Sequence, residues 1–112
     1  MQLIQQLEVY FYQEISGNEP VRDWLHTLSV ADRKIIGRDI RIIQVLWPVD
    51  NLLVKPLEHK LWEIRSRLDN RIARVIFVFH NGSIVLVHGF IKKTEKTPPA
   101  EIELARKRAK LL

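Results

Sequence analysis

The sequence contains no cysteine, which excludes disulfides, thiolate metal sites and a cysteine nucleophile together. No apolar run approaches the roughly 20 residues that a membrane-spanning helix requires. The first residues, Met1-Gln-Leu-Ile-Gln-Gln-Leu-Glu8, lack the basic region and apolar block of a secretory leader. A cytoplasmic protein with no membrane partner is therefore expected. Glycine is scarce as well, and neither a phosphate-cradling glycine loop, GxSxG nor HExxH occurs. The four histidines, His26, His59, His80 and His88, stand at no metal-ligand spacing. No metal and no cofactor are expected.

What the chain does have is positive charge. Eighteen basic against thirteen acidic residues give a formal charge of +5, the balance of a domain with a polyanionic partner such as nucleic acid. The charge is unevenly placed: Glu8, Glu14, Glu19 and Asp23 make the beginning acidic, so the excess lies downstream. At 112 residues, residues 1–112 are expected to form one domain around one core.

The most informative stretch runs from Leu61 to Lys93. Two apolar-rich segments meet across Asn81-Gly82, the strongest short-range hairpin signal. A third segment precedes them across Asp69-Asn70, another pair that tolerates positive φ. Counting back from a two-residue loop there sets Leu68 against Arg71 and Arg65 against Arg74, on one face of the sheet. Like charges directly opposite are normally destabilising. Counting from the second turn sets Arg74 against Gly89, with Lys93 further along the same face and Glu63 as a possible internal partner. Trp62, Ile64, Val75, Phe77, Phe79, Ile84, Leu86, His88 and Phe90 then fall on the opposite, core face. Two readings fit the arginines: solvated sheet-face charges balanced by Glu63, or an anion site.

The rest of the chain supplies the frame. Leu7–Tyr12 alternates and is rich in β-branched and aromatic residues, predicting a first strand. Asn18 can cap a short helix bearing Val21, Trp24, Leu25 and Leu28. Ser29 can cap a second, with Ile36, Ile40, Ile43 and Trp47 as its buried stripe. Gly37 inside that helix suggests close helix contact. Residues 48–60 read as a loop. Pro98-Pro99 introduces a last helix with Ile102, Ala105, Ala109 and Leu112 inward, and its cations suit a helix C-terminus. The expected fold class is α+β: an antiparallel sheet, made of the N-terminal strand plus a three-stranded meander, with two helices packed on one face and a C-terminal helix. The first strand is expected to add antiparallel to an outer strand of the meander.

The chemistry then rests on Arg65, Arg74, Lys92, Lys93 and Lys96, with Lys55 nearby. Arginine binds phosphate bidentately and stays charged, and such a cluster can stabilise charge developing on phosphorus when a ribose 2′-hydroxyl attacks it. A lysine crowded by cations can act as the base. His88, on the predicted core face, reads as a hydrogen-bonded core histidine.

The segments Lys55-Pro-Leu, Leu61-Trp-Glu-Ile-Arg65, Arg71-Ile-Ala-Arg74-Val, Val87-His-Gly-Phe-Ile-Lys-Lys-Thr94, Lys96-Thr-Pro and Glu101-Ile-Glu-Leu-Ala-Arg106 resemble the RelE/ParE toxin superfamily, in its HigB-like branch related to phage Gp49 proteins. Glu19-Pro-Val-Arg-Asp-Trp-Leu25 fits as well. The resemblance implies a RelE-like fold and the toxin of a type II toxin–antitoxin pair. It further implies a metal-independent mRNA endoribonuclease acting on ribosome-bound mRNA. Its partner would be a HigA-like helix-turn-helix antitoxin, and operator DNA would be met only through the toxin–antitoxin complex. By motif, Arg65, Arg74 and Lys93 are the catalytic candidates, and Lys55, Arg67, Lys92 and Lys96 the RNA contacts. The C-terminal tyrosine of some relatives is missing, because Tyr10 and Tyr12 both lie in the first strand. Two other functions stay open: a ParE-like gyrase inhibitor without chemistry, and a basic RNA- or protein-binding module.

Overall fold

A computed structural model describes residues 6–50, 52–92 and 96–112. Lys93, one of the candidate catalytic residues, lies outside them. The Asn81-Gly82 turn forms as expected: both residues take left-handed backbone, at φ 52° and 78°, and His80 pairs with Ser83. It joins β4 (Ile72–His80) to β5 (Ser83–Lys92). β3 (Leu61–Arg67) precedes them, and Arg65 stands opposite Arg74. The Leu68 N–H donates to the Arg71 carbonyl at 2.9 Å. Asp69 and Asn70 close this connection without positive φ, so the conformational tolerance of that pair is not used.

One residue upsets the turn counting. Between β4 and β5 the ladder steps from Phe77 opposite Leu86 to Ile76 opposite His88, leaving Val87 as a bulge. A bulge sets two residues against one and reverses the inside–outside parity beyond it. Arg74 therefore faces Phe90, and Gly89 faces Val75. His88 and Phe90 consequently leave the predicted core face, and Lys92 joins the arginine face, opposite Ile72. Gly89 serves a different neighbour: a Cβ there would sit 2.4 Å from the Trp24 ring. Its missing side chain lets a helix approach the sheet and has no part in relieving arginine crowding.

The described residues form a five-stranded sheet in the order β1 (Val9–Phe11), β5, β4, β3, β2 (Val54–Glu58). The first strand, β1, runs parallel to β5, with Tyr10 opposite Val85. The sheet is thus mixed, and the expected antiparallel edge is corrected. Alternation decides which face a strand buries, and it carries no information about direction. Direction comes from the two helices that follow, α1 (Pro20–His26) and α2 (Val30–Leu46). At the end of α2, the Gln44 side chain donates to the Leu7 carbonyl at 2.8 Å, and the Leu7 N–H donates to the Gln44 carbonyl at 3.0 Å. A further strand, β2, occupies the predicted loop, and Lys55 pairs with Glu63. Pro56 is tolerated there because β2 is an edge strand.

Helices pack on both sheet faces. Val21, Ile36, Ile43, Ile64, Val75, Phe77 and Leu86 form the larger core beneath α1 and α2. Trp47 closes its margin edge-on against Trp62, 5.1 Å between ring centroids, and Phe79, 5.0 Å. Ile76, Val78, Val85, Val87 and Ala105 form the second core, under α3 (Pro99–Lys110). Ser29 caps α2 by accepting from the Asp32 N–H at 3.1 Å. The N-cap of α1 is Glu19, without a side-chain hydrogen bond, rather than the expected Asn18.

Gly37 is not a close-contact site, because a Cβ there would meet nothing within 4 Å. Gly37→Ala is expected to stabilise the fold by about 1 kcal/mol through backbone entropy. Thermal unfolding should register this as a rise of about 4 °C.

α3 is tied down by polar contacts. Arg106 forks onto Glu58 of β2 at 2.7 and 2.9 Å, and Arg108 donates to the Val87 carbonyl at 2.8 Å. His88 is hydrogen-bonded as expected, but on this side of the sheet, with Glu101 at its Nε2. The hydrogen bond from Arg106 holds the Glu58 carboxyl below its ordinary value of 4.5. A depressed carboxyl contributes stability above its unfolded value and loses it as pH falls through the folded one. Glu58→Gln should thus lower the melting temperature at neutral pH, and the gap should close well below pH 4.5.

Candidate phosphate-binding cleft

α3 covers only part of its face. Beyond its beginning, towards the β3–β4 connection, lies a cleft of about 1240 Å³. Its described lining contains seven cations, Lys55, Arg65, Arg67, Arg71, Arg74, Lys92 and Lys96, and one acid, Asp69. Leu68, Asn70 and Ile72 complete the wall. Strand alternation explains the convergence. Residues 63, 65 and 67 of β3 project to this side, as do 72 and 74 of β4 and, through pairing with Glu63, Lys55 of β2. Lys92 reaches it because the Val87 bulge reversed the parity of β5.

The cations differ in how they are held. Arg74 is only 4% exposed and is paired with Glu63, itself 1% exposed. It is therefore no solvated surface charge. The Thr97 hydroxyl donates to the other Glu63 oxygen, so the carboxylate is engaged at both ends. Arg65, directly across the ladder, is half-buried, and Lys92 is buried at 5% exposure. Directly opposite residues hold their Cβ atoms about 5 Å apart, a spacing at which two guanidinium groups can share one phosphate. Lys55, Arg67 and Lys96 are exposed at the rim. Arg71 is turned aside, its Nη2 donating at 2.6 Å to Asp32 on α2.

The structure thus brings together Lys55, Arg65, Arg67, Arg74, Lys92 and Lys96, every described residue that the sequence nominated. The sequence missed Thr97, the second anchor of Glu63, because the approach to α3 has no periodicity to place it. It also missed Arg71, Asp69 and Asn70 as lining residues. Lys55 was nominated from a predicted loop, and the structure carries it instead on β2, opposite Glu63. No histidine lines the cleft among the described residues. Chemically the arrangement can bind a phosphodiester and stabilise added negative charge on it.

The profile of the family described as phage-derived protein Gp49-like (DUF891) matches residues 23–110. That span includes every strand of the cleft and the whole of α3. No curated protein sequence matches the chain.

Proposed function

Because this chain belongs to the phage-derived Gp49-like family, within the RelE/HigB-like toxin group, we propose that it is the toxin of a type II toxin–antitoxin pair that cleaves mRNA. The observation that carries this reading is the cleft, where a buried, anchored Arg74 faces Arg65 across the ladder amid further cations. A protein that acted only by occupying a partner would have no use for two arginines directly opposite each other on the ladder within a cationic cleft.

In the proposed reaction the ribose 2′-oxygen attacks the adjacent phosphorus, and the bond to the 5′-oxygen breaks. The products are a 2′,3′-cyclic phosphate and a 5′-hydroxyl end. Arg65 and Arg74 hold the non-bridging oxygens, whose charge grows in the transition state; preorganised donors of this kind contribute on the order of 10²–10³-fold each. Lys55 and Arg67 hold the flanking backbone. Lys92, Lys93 and Lys96 contact RNA or exchange the protons of the attacking and leaving oxygens. Glu63 is unsuited to the base role, since both its oxygens are engaged and it lies beneath the cleft floor. The proposed partners are ribosome-bound mRNA and a helix-turn-helix antitoxin, which carries the complex to its operator.

The test is inducible expression, with transcript 5′ ends, protein synthesis and gyrase supercoiling measured side by side. New 5′-hydroxyl ends inside messages, with supercoiling normal, are expected. Growth arrest with intact transcripts and blocked supercoiling would overturn the nuclease and establish the gyrase inhibitor.

A further inference from the structure

The buried carboxylate under the cleft has a role of its own. We infer that Glu63 is a positioning residue that aims Arg74, and that Thr97 sets the orientation of Glu63. This deepens the nuclease reading and rests on it. One Glu63 oxygen takes the Arg74 guanidinium and the other takes the Thr97 hydroxyl. With both oxygens engaged, the carboxylate cannot rotate, and the guanidinium it holds keeps one direction. Glu63 is 1% exposed and Arg74 4%, so the ion pair itself is shielded from water. Long cationic side chains lose considerable rotamer freedom when ordered, and catalysis by a charged donor depends on having met that cost before the substrate arrives.

Thr97 does a second thing. It lies two residues before Pro99, where α3 begins, and immediately after Lys96 at the cleft rim. Its hydroxyl therefore ties the entry of α3, and the lysine beside it, to the same carboxylate that aims the arginine. One buried group registers the strand-borne and the loop-borne cations against each other.

The electrostatic sign makes the inference testable. Glu63 is the negative charge directly beneath a cation-lined cleft, so removing it makes the site more attractive to RNA. Positioning predicts the opposite effect on turnover. In single-turnover cleavage of a model RNA, Glu63→Gln should hold or tighten RNA affinity while slowing the chemical step by on the order of tenfold or more. Glu63→Asp keeps the charge but withdraws the carboxylate by one methylene, and should slow cleavage with affinity unchanged. Thr97→Val, close in shape and away from the Arg74 contact, should slow cleavage several-fold with affinity retained. Should either Glu63 variant fail to fold, Thr97→Val decides by itself.

Wild-type cleavage rates in Glu63→Gln or in Thr97→Val would overturn the inference while leaving the nuclease reading intact. So would a joint fall of affinity and rate in the Glu63 variants, with Thr97→Val like wild type, which reduces Glu63 to a structural support. A wild-type protein that cleaves no RNA overturns the nuclease reading, and the positioning inference with it.

Discussion

Replacing Arg65 by alanine should lower RNA cleavage by about 10²–10³-fold and relieve growth arrest, with the fold retained. Arg65 is half-buried at the wall of the cleft, so water can enter the space that its guanidinium vacates. The stability change should accordingly stay within about 1 kcal/mol, as for most substitutions outside a core. Unchanged circular dichroism and melting temperature, alongside lost cleavage, is the expected pair of observations. A fully active Arg65→Ala protein would remove this side chain from the site.

Arg74→Ala should behave differently, although the two arginines are neighbours on the same ladder. Arg74 is the buried partner of Glu63. Deleting it strands a carboxylate in the interior, a change that costs about 3–5 kcal/mol. A domain with 5–15 kcal/mol of total stability feels that strongly. Urea denaturation should show a large drop in midpoint, and loss of activity in this variant would mix lost chemistry with lost folding. Adding Glu63→Gln to Arg74→Ala should restore part of the stability without restoring cleavage. Such non-additivity is the signature of a directly coupled pair. Equal destabilisation in the single and double variants would mean that the pair contributes little. Arg65 is therefore the cleaner probe of the proposed chemistry, and Arg74 the cleaner probe of how the site is built.

This contrast separates what local sequence can say from what it cannot. Turn chemistry at Asn81-Gly82 and a short connection at Asp69-Asn70 are local, and from them the Arg65–Arg74 juxtaposition could be counted. The Ser29 cap, the Ile36/Ile43 stripe and the α+β class are likewise local or periodic. Each of these survives in the folded chain. Arg65 and Arg74 were legible for the same reason, since strand parity assigns a face to each residue of a regular ladder.

Other features depend on partners distant in sequence. The bulge at Val87 is one residue of ladder slippage, and nothing nearby announces it; it becomes favourable because Gly89 can then receive Trp24 from α1. That slip, and not the pattern of β5, delivers Lys92 to the cleft and moves His88 and Phe90 beneath α3. The parallel course of β1 rests on its contact with the end of α2. β2 becomes a strand because β3 offers it an edge. The sequence by itself determined which residues alternate, which turns close and where positive charge collects, because those are short-range matters of backbone and side-chain chemistry. Tertiary structure alone decided that Arg74 is buried and that Thr97 anchors its partner Glu63, because burial and aim depend on what the rest of the chain places around a side chain.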